Sequence, residues 1–324
     1  MPAIITATPP EAACPLPETV VVVGAGGFIG RNLVRHLRGR VGRVVPVSAS
    51  GGAVDGIAGL RLAELDAADI GRDAAVVNLA AYRHDGANFA ASQPDIFASN
   101  IEIAGRVYAF CARRGIAEVR AASSLAVYPA DDPDFDDAEP LDLNRDPHDG
   151  ELMYAWSKRV GELTARLFAR NCGVHTVTFR LSNPYGPHDG TDESKAHVVP
   201  AFVIRALTGS GPFAVRGNPE ASRDFVYVGD VCEVFCRSLG WRGCDAVYNL
   251  GSGDNVTVAE LARTILRLVG SDREIVASGA PVSAVPHRRC RTGRLRRDFA
   301  IERLTPLDEG LAATIDWYRH ALRG

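Results

Sequence analysis

From Thr19 onward, short runs of β-branched and other apolar residues alternate with longer stretches whose apolar positions recur at helical spacing. Val20–Val23, Val44–Val47, Ala75–Leu79, Val119–Ala122 and Thr176–Arg180 read as strands, since such runs bounded by turn residues suit a buried parallel sheet. Between them, Gly30–Arg38, Asn100–Arg114 and Leu152–Asn171 set charged residues opposite an apolar stripe and read as helices. The repetition predicts an α/β protein with a doubly wound parallel sheet. At Leu181 the order breaks into loops rich in Gly, Pro and Asp, then resumes in Val199–Leu207, Val228–Leu239 and Val258–Leu268. That change predicts a smaller second domain that receives the substrate. Asp131–Asp149, dense in Asp and Pro, reads as a surface loop.

Composition narrows the partners. A chain of 324 residues with 46% hydrophobic content buries a full core. A formal charge of −3 offers no field to draw in a nucleic-acid backbone or an anionic membrane, so a small molecule is the expected partner. Among the seven cysteines only Cys232 and Cys236 lie close, with no second pair at metal-ligand spacing. Reduced thiols in a cytoplasmic protein, and no metal site, are expected. The first eighteen residues, Met1–Glu18, lack the basic and apolar blocks of a signal peptide and read as a loose tail. No later segment approaches the roughly 20 apolar residues of a membrane span.

Two motifs carry chemistry. Strand Val20–Val23 runs into Gly24, Ala25, Gly26, Gly27, Phe28, Ile29 and Gly30 and then into a helix. A glycine turn there presents backbone N–H groups and a helix N-terminus to a pyrophosphate. The spacing Gly24, Gly27, Gly30 departs from Gly-x-Gly-x-x-Gly, with Ile29 where the third glycine of that form would stand. After the second strand come Ser48, Ala49 and Ser50, neither a carboxylate for ribose hydroxyls nor an immediate Arg for a 2′-phosphate. NAD and NADP therefore both stay open. Asp66 is placed to accept from the adenine amino group, or to sit in a solvated loop.

The second motif is Tyr154-Ala155-Trp156-Ser157-Lys158 on a helix, downstream of Ser123-Ser124 at a strand end. Positions i and i+4 share a helix face, so Lys158 lies beside the Tyr154 phenol. A phenol with a pKa of about 10 needs a nearby cation to act as an acid/base near neutrality. Lys158 supplies it and can also hold a nicotinamide ribose. Ser124 would hydrogen-bond the sugar oxygen while Tyr154 moves the proton.

With these motifs in place the chain resembles the extended short-chain dehydrogenase/reductases, the epimerases, dehydratases and 4-keto reductases of nucleotide sugars, from about Thr19 to Arg319. Further landmarks are Asn78-Leu79-Ala80-Ala81, Asn100, Val127-Tyr128-Pro129, Arg180–Pro187, Ser222–Val228, Tyr248–Gly253 and Leu307–Leu311. The resemblance implies a Rossmann domain of residues 19–180 plus 224–247. It implies a smaller, discontinuous C-terminal substrate-binding domain of residues 181–223 plus 248–324. It implies cofactor contacts from the glycine turn, Ser48, Asp66, Ala80, Ala81 and Lys158, and Ser124, Tyr154 and Lys158 as the catalytic set. Asn183 and Arg223 are implied at the nucleotide diphosphate, with Arg288 or Arg289 as weaker candidates.

Leu125 and Ala126 stand where dehydratases of this family place an acidic pair, which disfavours 4,6-dehydration. The stretch Tyr185–Asp189 through Ala196–Pro200 is similar to GDP-fucose synthase, whose His at the place of His197 moves protons on ring carbons. Its Cys partner is Ala126 here. Dual epimerisation is therefore not expected; His197, with Val198 beside it, serves as a single acid or binds substrate, or is a helix-start histidine that caps a loop. Three readings follow: first an epimerase that recycles its nicotinamide through a transient keto sugar, second an NADPH-dependent 4-keto reductase, third a non-catalytic NAD(P)-binding protein. Asn100–Arg114 and Leu152–Asn171 carry apolar residues on more than one face, including Phe110, Leu163 and Phe168, which predicts a homodimer through this helix pair.

Overall fold

A computed structural model describes residues 14–82, 91–279 and 289–323. In chain order the strands are β1 (Thr19–Val23), β2 (Arg43–Val47), β3 (Ala75–Asn78), β4 (Glu118–Ser124), β5 (Asp134–Phe135), β6 (His175–Leu181) and β7 (Asn183–Tyr185). There follow β8 (Phe213–Arg216), β9 (Ser222–Tyr227), β10 (Ala246–Leu250), β11 (Asn255–Thr257), β12 (Ile275–Ser278) and β13 (Arg289–Cys290). The helices are α1 (Phe28–Leu37), α2 (Gln93–Arg114), α3 (Leu152–Cys172), α4 (Val198–Thr208), α5 (Val228–Ser238), α6 (Val258–Val269), α7 (Gly293–Asp298) and α8 (Leu307–Ala321).

The central sheet is parallel and six-stranded, in the order β10-β6-β4-β3-β1-β2. It is buried on both faces, which is why its central strands β1 and β3 are almost continuous Val and Ala. One face packs α1 and α5 over Leu33, Val34, Val231 and Phe235; the other packs α2 and α3 over Val107, Tyr108, Phe110 and Ala165. The chain order reverses between β1 and β3, the place where such sheets open a ligand crevice beyond the strand C-termini. The doubly wound fold expected from the sequence is the one observed.

A second core, with Tyr185, Phe202, Phe213, Leu261, Leu311 and Tyr318, lies under α4, α6 and α8. Thr257 and Glu260 form a reciprocal capping box at the start of α6, and Gly270 ends it in the left-handed conformation at φ 77°. β9 joins β7 and β11 in a small sheet of its own, while α5 packs on α1 beside the central sheet. The sixth central strand is β10, which continues to Leu250. The segment 131–149 is anchored rather than superficial: β5 pairs with β13, and Phe135 and Asp137 are buried. Among the described residues no helix is long and apolar enough to cross a membrane.

Candidate active site

The glycine turn is built by contact, not by composition. Gly24 has φ 88°, and a Cβ on it would lie 2.7 Å from the Ala80 nitrogen. A Cβ on Gly30 would lie 2.1 Å from the Gly24 carbonyl oxygen, so a side chain at either position would push β1, β3 and α1 apart. Gly27, the N-cap of α1, is exposed, and its own Cβ would meet nothing closer than 3.4 Å. The first turn of α1 thus faces open space with its N–H groups available, as a pyrophosphate requires. Phe28 and Ile29 are turned to the core and hold the helix down. The Gly24 and Ala25 amides donate to the Val47 carbonyl, which brings the turn against Ser48 at the end of β2. Ala80 follows β3 with its amide on Asn78 Oδ1, and Ala81 is exposed beside it. These surfaces fit a dinucleotide. The Asp66 carboxylate accepts two bonds from Arg113 on α2, at 2.9 and 2.8 Å.

Deeper in the crevice, α3 and β4 meet. Lys158 Nζ donates to the Ala122 carbonyl of β4 at 3.0 Å and lies 5.7 Å from the centre of the Tyr154 ring. Ser124, two residues along the strand, accepts from the Ala126 amide at 3.1 Å and caps a short 3-10 turn, Leu125–Val127. Burial pushes Lys158 down from its ordinary 10.5 to about 8, with the nearby Glu162 carboxylate pulling the other way. Asn100 clasps the loop after β3, its Oδ1 accepting from the Tyr82 amide at 2.7 Å and its Nδ2 donating to Ser157 Oγ at 3.2 Å. Under these groups lies a cavity of ≈ 40 Å³ whose lining includes Asn100, Ser123, Ser157, Lys158 and Glu162.

Glu162 and Arg180 are the residues that a reading of the chain did not assign. The Arg180 guanidinium, fully buried, grips the Glu162 carboxylate at 3.0 and 2.8 Å, and Ser123 Oγ donates to the same carboxylate at 2.7 Å. Burial disfavours the Glu162 anion, but the Arg180 charge and hydrogen bonds outweigh it and hold the carboxyl below its usual range. The guanidinium also lies over the Tyr128 ring at 4.8 Å, and Tyr128 donates to Asn249 at 2.8 Å. The detectable signal was a carboxylate one turn after Lys158 on a helix face aimed inward. Its partner, eighteen residues on, is set only by the β4–β6 pairing.

The cap residues are held more loosely. Asn183 Nδ2 donates to the Asp224 carbonyl at 2.9 Å. Arg223 Nη1 donates to the neighbouring Ser222 carbonyl at 2.8 Å, and among the described residues no carboxylate pairs with it. An ordinary surface salt bridge is thus not its role. His197 is the N-cap residue of α4, but its ring does not cap the helix; it is 54% exposed, with Nδ1 3.7 Å from Asp189. Val198 opens α4 and packs on the cap core. Arg288 lies outside the described residues, and Arg289 is an exposed residue of β13. Of the residues expected at a dimer face, Phe110 is buried within its own subunit at 2% exposure, because it seals α2 to the sheet. The exposed apolar residue of α3 is Leu167, at 58%.

Residues 20–251 match the model of the NAD-dependent epimerase/dehydratase family. The chain is 29% identical to a dTDP-4-dehydro-6-deoxy-D-allose reductase of Streptomyces bikiniensis, covering 94% of this chain and 98% of that one. It is also 29% identical to a putative GDP-L-fucose synthase of Oryza sativa subsp. japonica, over 76% of this chain and 72% of the other. A UDP-glucose 4-epimerase from Thermotoga maritima shares the fold, with a TM-score of 0.79 at 24% identity over 94% of this chain and 99% of that one. The chain therefore belongs to the NAD-dependent epimerase/dehydratase family, the extended short-chain dehydrogenase/reductases, NAD(P)-dependent enzymes that act on nucleotide sugars.

Proposed function

We propose that this enzyme reduces the keto group of a nucleoside-diphosphate 4-keto sugar. The observation that carries this reading is Lys158 5.7 Å from the Tyr154 ring on α3 and bonded to β4, the strand that ends in Ser124, with apolar Leu125 and Ala126 where further acids and bases would stand. Such a site interconverts a carbonyl and an alcohol and does little else. The full-length likeness to a 4-dehydro-sugar reductase supports reduction as the net direction.

A bound nicotinamide supplies the hydride. Ser124 donates to the carbonyl oxygen, and Tyr154 delivers the proton to that oxygen as the alcohol forms. Lys158, fixed to the Ala122 carbonyl, stabilises the phenolate left on Tyr154 and holds the ribose. Asn183 and Arg223 hold the diphosphate from the cap, and His197 with Val198 borders the sugar. The protein works as a homodimer in the cytoplasm, a reading supported by Leu167 exposed on α3 and by seven cysteines present as free thiols.

Turnover of a nucleoside-diphosphate 4-keto sugar, followed by nicotinamide absorbance, tests the reading. One reduced cofactor should disappear per sugar reduced. The epimerase alternative gives sugar interconversion with no net change in the cofactor, and that result would displace the reductase.

A further inference from the structure

The segment between β7 and α4 is fastened from both domains. On the dinucleotide side, Asn32 of α1 donates to the Pro187 carbonyl at 2.9 Å, and Arg35 of the same helix meets the His188 ring. On the cap side, the Trp317 ring of α8 stands edge-on to His188 with centroids 4.9 Å apart, and the Tyr318 hydroxyl donates to the Gly190 carbonyl at 2.8 Å. His188 takes the left-handed conformation at φ 68°, uncommon for a residue with a Cβ and kept only where the surroundings impose it. The residue held between these fastenings is Asp189.

Its carboxylate is half satisfied. Oδ1 accepts from the Gly190 amide at 2.8 Å. Oδ2 is sealed from solvent, and among the described residues it has no hydrogen-bond partner. A carboxylate with a purely structural role is saturated, as Asp224 is by the Ser252 and Gly253 amides, both at 2.8 Å, and by the Ser182 hydroxyl at 2.9 Å. A buried acceptor left open costs free energy and calls for a reason. The His197 imidazole stands across from it, with Nδ1 3.7 Å from Oδ2, just beyond hydrogen-bond range. His197 heads α4 without capping it, and its ring is 54% exposed against 11% for Asp189. A short rotation of the exposed ring closes the gap onto a carboxylate that is already fixed.

We propose that Asp189 is the positioning residue of His197: its Oδ2 accepts from Nδ1–H, turns the ring, and leaves Nε2 as the acceptor for a hydroxyl of the substrate sugar. A carboxylate on one ring nitrogen fixes where the proton sits, and so which nitrogen is offered outward. What Nε2 meets rests on the proposed nucleotide-sugar reading; the contact between Asp189 and His197 stands without it.

Nitrogen NMR of the ligand-free full chain reads the pair directly, with the His197 signals assigned by their loss in His197→Gln. The neutral ring should carry its proton on Nδ1 in the wild type and shift toward Nε2–H in Asp189→Asn. A wild-type ring protonated on Nε2 would overturn the pair. Asp189→Asn should not lower the melting temperature, because it removes an unpaired buried charge; a clear drop would make the carboxylate structural. Calorimetry with UDP, dTDP, GDP and CDP beside their glucose conjugates isolates the sugar. Asp189→Asn should weaken the conjugate that binds by roughly 3- to 10-fold, the worth of one neutral hydrogen bond, and leave the free diphosphate unchanged. In a His197→Gln background the same substitution should add nothing. Equal weakening of conjugate and free diphosphate, or independent losses in the double variant, would overturn the positioning role. If the wild type binds no conjugate, the sugar contact falls with the nucleotide-sugar reading, and the ring tautomer alone decides the Asp189–His197 contact.

Discussion

The two halves of the crevice are built to different standards of rigidity. On the sheet side, the side chains around the proposed catalytic set are fixed by protein contacts: Lys158 to the Ala122 carbonyl, Asn100 to Ser157, and Glu162 between Arg180 and Ser123. On the cap side, Arg223 donates to the carbonyl next door and meets no carboxylate among the described residues, and His197 stands more than half exposed at a helix start. The difference matches what the proposed function asks of each side. Proton and hydride transfer demand fixed geometry, since small displacements cost large factors in rate. Diphosphate capture tolerates adaptable side chains that the ligand itself organises.

Tyr154→Phe should give the largest effect on turnover, because it removes the proposed proton donor and keeps the ring. General acid–base catalysis contributes roughly 10²- to 10⁴-fold, so kcat should fall by about that factor. Dinucleotide affinity and melting temperature should stay near the wild-type values. A variant with near-normal kcat would detach the phenol from the chemistry.

Glu162→Gln probes the rigidity itself. It leaves the buried Arg180 guanidinium without its counter-charge, which costs about 3–5 kcal/mol by urea unfolding. It should also move a pH profile, with a sign fixed by Lys158. That ammonium loses its proton at about 8, and Glu162 is the charge that holds the proton on. Activity that depends on the cation should therefore fall as pH rises through about 8 in the wild type. In the folded variant the falling limb should move to lower pH. An unchanged limb would mean that Glu162 supports the fold without acting on Lys158.

The same contrast governs what the chain makes legible. The central strands announce themselves because burial on both faces demands unbroken Val and Ala, as in Val20–Val23 and Ala75–Val77. β10 is hidden because Ala246–Leu250 includes Tyr248 and Asn249, whose polar atoms find partners only in the folded network with Asp298, Tyr128 and Phe135. The Tyr154/Lys158 pair is legible because helical spacing alone places it. The Glu162–Arg180 pair and the Arg61–Ser50 contact are not, because sheet register and a single β-bridge bring those residues together from distant positions. A search for an arginine directly after β2 stops at Ser50, whereas the fold delivers Arg61 from the next segment. Phe110 erred the other way: an apolar residue off the main stripe of α2 serves its own core rather than a partner.

The softer half carries the smaller expected effect and the claim on which everything turns, that the substrate is linked to a nucleoside diphosphate. Calorimetric titration with UDP, GDP, CDP and dTDP, on the wild type and on Arg223→Ala, addresses it directly. At least one diphosphate should bind the wild type in the absence of any sugar. Arg223→Ala should weaken that binding by about 1.5–3 kcal/mol, the worth of a hydrogen bond to a charged group. Dinucleotide affinity, set on the other side of the crevice, should not move. If no nucleoside diphosphate binds the wild type, or if the Arg223→Ala variant binds as tightly, the cap does not read a diphosphate and the nucleotide-sugar assignment for this chain fails.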